Sequence, residues 1–312
     1  MIEQSKRRRH VLDLDDMTAA EILEILESAE GMKEVLSREI KQVPALRGQT
    51  VVNMFFEEST RTRISFELAA RALSANVVTF TARGSSVEKG ETLIDTVRTL
   101  QALGANILVM RHGQSGAPYL VARHFRGALV NAGDGRHAHP TQALLDLFTI
   151  RQRLGTIAGR KVVIVGDIVH SRVARSNLWG LTKLGAKVTL CAPPTLIGPV
   201  QFWTGTWPDV RISYDLDDAL HDADVVMTLR IQKERQQAGL LPSLREYSRF
   251  FAITSERVDR LSDHAIVMHP GPMNEGVEIM PEVAVSSRSV IEEQVTNGVA
   301  VRMAILYRLA GL

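Results

Sequence analysis

Phe55-Phe56-Glu57-Glu58-Ser59-Thr60-Arg61-Thr62-Arg63-Ile64-Ser65-Phe66-Glu67 is the stretch from which the fold can be read. The residues leading into it, Thr50-Val51-Val52-Asn53-Met54, form the apolar, β-rich run of a buried strand. Beyond the loop, Ile64, Phe66, Leu68, Ala69, Ala72 and Leu73 have the mixed spacing of a largely buried helix. Ser59 or Thr60 is a natural N-cap, so the loop opens a helix whose first backbone N–H groups point outward. Such an end attracts anions through those donors and the helix dipole. Basic residues are disfavoured in a first turn, yet Arg61 and Arg63 stand there. A bidentate phosphate clamp accounts for them better than a capped helix with a solvated basic turn.

Composition narrows the function further. A chain of 312 residues is long enough for two ordinary domains, and 45% hydrophobic content with 5% aromatics means aliphatic cores. The formal charge of +2, from 37 basic and 35 acidic residues, leaves no footprint for nucleic acid or an anionic membrane. The one cysteine, Cys191, excludes an internal disulfide framework and a cysteine-based zinc site, and suits a reducing cytoplasm. No apolar run approaches the roughly 18–20 residues of a membrane span. Arg7-Arg8-Arg9 is followed by His10-Val11-Leu12-Asp13-Leu14-Asp15-Asp16 rather than an apolar core, so it reads as a solvated basic cluster and not a targeting signal. The expectation is a soluble cytoplasmic protein.

The remaining elements alternate strand and helix. Thr18-x-x-Glu21 is a capping box, opening an amphipathic helix with Ile22, Ile25, Leu26 and Ala29 on one face. Asn76 to Phe80 is a short strand; the polar loop that follows, with Ser85 and Lys89, reads on composition as a flexible connection or a site. Asn106 to Met110 is a buried strand with Arg111-His112 at its C-terminal end, where ligands bind in open α/β sheets. Arg111 is therefore a candidate ligand for phosphate or carbonyl oxygen. Helix 119–125 and strand 128–132 follow. In Gly133-Asp134-Gly135-Arg136-His137-Ala138-His139-Pro140-Thr141-Gln142, Pro140 suits a helix's first turn. His139 then stands beside a helix N-terminus, which should keep it neutral and able to donate to a carbonyl, with Gln142 facing the same space. His137 and His139 have no third ligand at zinc spacing, so no metal is expected.

A second α/β pattern starts after Gly155 to Gly159. Lys161 to Val165 is a strand ending at Gly166, but Gly-Asp-Ile-Val-His-Ser-Arg lacks the later glycines that a dinucleotide pyrophosphate needs. Arg172, near that strand's end, is placed for a substrate carboxylate. Strand Lys187 to Cys191, helix 215–223 and strand 225–229 lead into Arg230-Ile231-Gln232-Lys233-Glu234-Arg235. This charged run is either a solvated face or, through Arg230 at a strand mouth, a second anion contact; the loop 236–242 beyond it reads as mobile. Strand 265–268 leads to His269-Pro270-Gly271-Pro272, whose prolines fix the chain and leave the Gly271 and Pro272 carbonyl oxygens to accept from an amide. A long helix, 289–312, ends the chain. The expected domains are 1–150 completed by 289–312, and 151–288.

Ser-Thr-Arg-Thr-Arg at 59–63, the Arg111-His112 pair, His-Pro-Thr-Gln at 139–142, Arg-x-Gln-x-Glu-Arg at 230–235 and His-Pro-Gly-Pro at 269–272 stand in one order along the chain. In that order they resemble the aspartate/ornithine carbamoyltransferase family. The resemblance implies an α/β fold of two doubly wound parallel-sheet domains joined by bridging helices. It assigns carbamoyl phosphate to Ser59, Thr60, Arg61, Thr62, Arg111, His139, Gln142, Gly271 and Pro272. L-Aspartate falls to Lys89, Arg172, Arg230 and Gln232, and catalysis to Arg61, Thr62, Arg111 and His139. Ser85 and Lys89 match a Ser-x-x-x-Lys-Gly-Glu loop that in the aspartate branch enters the neighbouring subunit's site, implying a homotrimer with shared active sites. The ornithine branch carries His-Cys-Leu-Pro where this chain has His269-Pro270-Gly271-Pro272. The expected reaction is therefore carbamoyl transfer to L-aspartate in pyrimidine synthesis, without cofactor or metal. Transfer to another amine such as ornithine, and an inactive scaffold in a multienzyme assembly, are the alternatives. A regulatory chain or a dihydroorotase partner is left open.

Overall fold

Runs of valine, isoleucine and leucine that alternate with helical periods become parallel strands covered by helices on both faces. The computed structural model describes residues 8–81, 90–231 and 243–311. The chain divides into two compact units, residues 1–144 with 297–312, and residues 145–296. The division falls inside two helices, α5 (Pro140–Leu154) and α13 (Ile291–Ala310), rather than in loops.

The first unit runs β1 (His10–Val11), α1 (Ala19–Ser37), β2 (Thr50–Phe55), α2 (Thr60–Ala72), β3 (Asn76–Thr81), α3 (Leu93–Ala102), β4 (Ile107–His112), α4 (Ala117–Ala122) and β5 (Ala128–Asp134). Its five strands are parallel, in the order β1-β5-β4-β2-β3. The chain goes outward from β2 to β3 and then crosses back to β4, so the strand order reverses between β2 and β4. Outside the carboxyl ends of two such strands a doubly wound sheet leaves a crevice. One face of the sheet is closed by Val52, Met54, Leu108, Met110 and Leu129 packing on Val97, Ala117, Val121 and Phe125. The end of α13 completes the unit: Arg302 Nη1 donates to Ser65 Oγ at 2.9 Å and its guanidinium lies 5.1 Å from the Phe66 ring centre.

The second unit contains β6 (Lys161–Val165), α6 (Arg172–Lys183), β7 (Lys187–Cys191), α7 (Pro194–Ile197), α8 (Val200–Thr206), β8 (Arg211–Ser213), α9 (Leu216–Leu220), β9 (Val225–Thr228), α10 (Leu244–Phe251), α11 (Ser255–Asp259), β10 (Ile266–Met268) and α12 (Pro281–Ala284). Its sheet is again parallel, in the order β10-β9-β6-β7-β8, and the reversal falls between β6 and β9. Gly166 ends β6 at that reversal with φ +128°, and a Cβ there would lie 2.7 Å from the Leu229 carbonyl oxygen. Only glycine allows the two strand exits to approach so closely.

Several expectations need correcting. Ile64 and Leu68 of α2 are 44% and 52% exposed, so this helix is not largely buried within one chain. Arg8 is not simply solvated: Nη1 meets Asp16 at 2.7 Å and Nε meets Glu21 at 3.1 Å, next to the two-residue edge strand β1. The helices anticipated over 119–125 and 215–223 are shorter, Ala117–Ala122 and Leu216–Leu220. The short helices α7, α8, α11 and α12 span too few turns to mark a hydrophobic period. Among the described residues no helix is long and apolar enough to cross a membrane.

Gly166→Ala should lower the midpoint of thermal unfolding by several degrees. The new methyl both collides with the Leu229 backbone and forces a residue with a Cβ into positive φ, each costing on the order of 1–3 kcal/mol. An unchanged midpoint in differential scanning calorimetry would overturn this account.

Candidate active site

In the first unit the strand-order reversal brings together the ends of β2 and β4, where Phe55 pairs with Arg111 across the sheet. Ser59 is the N-cap of α2, with φ −164° and ψ 94°, but its side chain makes no capping hydrogen bond. The Ser59 hydroxyl thus leaves the outward amides of the first turn uncapped by itself, and Arg61 and Thr60 are exposed while Thr62 is buried. Arg111, with only 12% of its side chain exposed, sends Nη2 to Glu57 Oε1 at 2.6 Å. Sequence reasoning passed over Glu57, although it stands between the strand and the Ser59-to-Arg63 run. Burial holds the neighbouring His112 below its ordinary value of 6.5, so this imidazole is neutral at neutral pH and adds no cation to Arg111.

His139 is fixed by the loop between β5 and α5. It is buried, and its carbonyl accepts from the Gln142 and Ala143 amides at 3.0 and 3.2 Å, starting α5. Gln142 lies in that first turn and is also buried. The loop is fastened by Asp134, which is fully buried. Its Oδ2 accepts from the Gly116 amide at 2.6 Å, and its Oδ1 from Asn131 Nδ2 at 2.8 Å and the Ala138 amide at 3.1 Å. Gly135 lies against Ser115, where a Cβ would come within 2.4 Å of the hydroxyl oxygen, and its amide donates to the His112 carbonyl at 2.9 Å. Asp134 and Gly135 thus tie the exit of β4, bearing Arg111, to the loop bearing His139. Neither was singled out from sequence; the only available signal was an aspartate inside a loop that should otherwise be solvent-facing.

In the second unit Arg172 and Arg230 stand at the mouths of β6 and β9, which pair through Val165 and Thr228 at the reversal. Arg172 is buried, 4% exposed, at the first position of α6, whose cap is the Ser171 hydroxyl accepting from the Ala174 amide at 3.1 Å. Arg230 is half-buried and follows Leu229, whose amide donates to the Val165 carbonyl at 2.7 Å. Gly271 and Pro272 follow β10, the neighbour of β9. A cation is thereby placed on each side of the second reversal, an arrangement suited to carboxylates. Ser85, Lys89 and Gln232, and the loop 236–242, lie outside the described residues. Among the described residues no group of three His, Cys, Asp or Glu side chains is placed to hold a metal ion.

Comparison with known proteins gives both halves a description. Residues 9–152 match the family profile "Aspartate/ornithine carbamoyltransferase, carbamoyl-P binding domain", and residues 158–309 match the "Asp/Orn binding domain" of the same family. The chain is 79% identical over 304 residues to the aspartate carbamoyltransferase catalytic subunit of Chloroflexus aurantiacus, covering 97% of this chain and 99% of the relative. Among solved structures it resembles the aspartate transcarbamoylase of Trypanosoma cruzi in complex with carbamoyl phosphate and aspartate, with a TM-score of 0.86, 30% identity and 96% of each chain covered. It is also similar to the catalytic subunit of M. jannaschii aspartate transcarbamoylase, at a TM-score of 0.85 and 36% identity over 97% of this chain and 98% of that one.

The Asp134 hub has a measurable pH signature. The hydrogen bond that His137 Nδ1 donates to Asp134 raises His137 above its ordinary 6.5, against a smaller opposing effect of burial. A raised folded value means stabilisation that is complete below the unfolded value and lost as pH rises through the folded one. The gap in thermal midpoint between wild type and His137→Ala should accordingly be widest near pH 5.5 and shrink by pH 8.5. A gap that grows with pH would contradict the assignment.

Proposed function

The chain belongs to the aspartate/ornithine carbamoyltransferase family, and from that premise we propose how its residues divide the work. The reaction is transfer of the carbamoyl group of carbamoyl phosphate to the α-amine of L-aspartate, giving N-carbamoyl-L-aspartate and phosphate in pyrimidine synthesis. The first unit takes carbamoyl phosphate and the second takes aspartate. The observation that supports this division most directly is that each sheet reverses its strand order beside arginines, Arg61 and Arg111 in one unit, Arg172 and Arg230 in the other.

The phosphate is held by Ser59, Thr60, Arg61 and Thr62 at the start of α2 and by Arg111. Gln142 and the carbonyl oxygens of Gly271 and Pro272 orient the carbamoyl nitrogen, which is a donor and needs acceptors. The aspartate amine attacks the carbonyl carbon, the new C–N bond forms, and the carbonyl oxygen gains negative charge. Thr62, Arg111 and His139 stabilise that charge, and loss of one such donor costs about 10²–10³ in rate. The C–O bond to phosphate then breaks, and the leaving phosphate takes the amine proton. Arg172 and Arg230, with Lys89 and Gln232, hold the two carboxylates, so that much of the acceleration is positioning, for which about 7–11 kcal/mol is available in favourable cases. Ornithine would bring an ammonium among these cations, which costs several kcal/mol. No covalent enzyme intermediate, cofactor or metal is required.

The assembly we propose is a homotrimer with sites completed by Ser85 and Lys89 of a neighbour. Its support within the chain is the exposed apolar surface of Ile64 and Leu68 on α2 and of Val78 on the edge strand β3. A separate regulatory chain fits the description of the relatives as catalytic subunits, and a dihydroorotase is the alternative partner. A cytoplasmic setting is supported by Cys191, buried and with its thiol pushed up to about 12 by burial, a residue built for packing and not for disulfide chemistry.

Purified protein should form ureido product from carbamoyl phosphate with aspartate and not with ornithine; ornithine turnover would overturn the roles of Arg172 and Arg230. Arg61→Ala should lower turnover at least about 10²-fold with an unchanged circular dichroism spectrum, and wild-type kinetics in that variant would remove the phosphate clamp. Mixing Lys89→Ala with His139→Ala subunits should restore part of the activity, because one site in a mixed trimer is intact. Verified mixed trimers without recovery would count against shared sites.

A further inference from the structure

A chain of buried polar groups crosses the second unit without being assigned to either substrate. It starts on α6, where Asn177 Nδ2 donates to Asp146 Oδ2 at 2.8 Å, and Asp146 Oδ1 accepts from Gln294 Nε2 at 2.8 Å. Gln294 Oε1 in turn accepts the His269 amide at 3.0 Å. These side chains are at most 3% exposed. From His269 the chain turns toward the loops assigned to the substrates.

The protonation pattern at His269 follows from its partners. The Gly271 amide, 2.7 Å from Nδ1, can only donate, so Nδ1 is the bare acceptor and the proton is on Nε2. Nε2 therefore donates to Glu278 Oε1 at 3.2 Å. The same Oε1 accepts the Asn274 amide at 2.6 Å, and Oε2 accepts Asn274 Nδ2 at 3.3 Å. Asn274 Nδ2 also reaches the Ile231 carbonyl oxygen at 3.3 Å, one residue beyond Arg230. His269 and Glu278 are each 1% exposed, so these partners replace water almost completely.

We propose that Glu278, acting through His269 and Asn274, is a positioning residue. It fixes the Gly271–Pro272 backbone and the backbone beside Arg230 in one rigid relation. The proposal rests on the substrate roles given above for Gly271, Pro272 and Arg230. An amide cannot replace this carboxylate. In Glu278→Gln the new NH2 faces the Asn274 NH2; if Asn274 turns over to accept from it, an amide oxygen then faces the Ile231 carbonyl and that link is lost. Asn274→Ala removes the same link at a half-buried site where a smaller side chain can be accommodated.

Both variants should raise the KM for aspartate at least ten-fold or lower kcat by that factor. Competitive inhibition by inorganic phosphate, which the first unit binds, should stay within two-fold. In the unliganded protein, hydrogen exchange should show the Gly271 amide protected in wild type and at least ten-fold less protected in Glu278→Gln. A merely structural role predicts a lower thermal midpoint with unchanged KM, kcat and phosphate inhibition in the folded fraction. Wild-type kinetics in Asn274→Ala, or unaltered Gly271 protection in Glu278→Gln, overturns the proposal; should Glu278→Gln fail to fold, Asn274→Ala decides. Wild-type turnover of aspartate in the same assay tests the underlying reaction separately. Were it absent, that reading would fall, while exchange at Gly271 would still report on the brace.

Discussion

The reversal of strand order in each parallel sheet is the constraint on which the rest depends. Consecutive βαβ units wound in one direction would cover every strand exit with the next connection. Reversing at β2/β4 and at β6/β9 leaves two exits whose loops diverge, and the residues that can meet an anion collect there. The reversal also sets severe packing terms. The exits of β6 and β9 touch through backbone, so Gly166 has no room for a side chain. Arg230 follows directly on that contact, and Arg172 opens the helix that comes after β6.

The loops that carry the candidate site residues have no hydrophobic period to hold them, and here buried carboxylates do it instead. An ionised carboxylate offers about four acceptor positions, so a single side chain can join several stretches of backbone. Asp134 joins the exits of β4 and β5, and Glu278 joins His269, Asn274 and, through Asn274, Ile231. Each hydrogen bond to such a charged group contributes about 1.5–3 kcal/mol, and saturation is what offsets the cost of removing the charge from water. The same saturation makes these residues intolerant of half-measures, since an amide satisfies some of the donors and confronts the others.

Most of the architecture was legible because strands and long helices announce themselves by composition and period. Thr50–Phe55 reads as a buried strand from its own residues, and Thr18 with Glu21 forms the capping box that the sequence implies. Legibility failed wherever a residue's environment is supplied from far along the chain. Ile64 and Leu68 share a period with Phe66 and Ala69 but sit on the part of α2 that its own chain leaves uncovered. The positions of Arg111, His139, Arg172 and Arg230 could be inferred because each ends a strand or begins a helix. The fastening of Arg111 could not, since Glu57 meets it from 54 residues away, nor could that of the His269 backbone, held by a Gln294 that meets Asp146 from 148.

The Arg111–Glu57 pair also shows why a candidate anion ligand is held before any anion arrives. A free arginine side chain carries about 2 kcal/mol of rotamer entropy, which a binding event would otherwise have to overcome. With Nη2 on Glu57 at 2.6 Å and Nη1 on the Ala132 carbonyl at 3.4 Å, that ordering is completed on folding. The carboxylate offsets part of the guanidinium's charge, which weakens ground-state attraction for an anion. These two partners take two of the five guanidinium N–H groups and fix the directions in which the others point. An enzyme gains rate only from interactions stronger in the transition state than in the ground state. An arginine aligned in advance meets that developing charge without losing rotamer freedom at the moment of reaction.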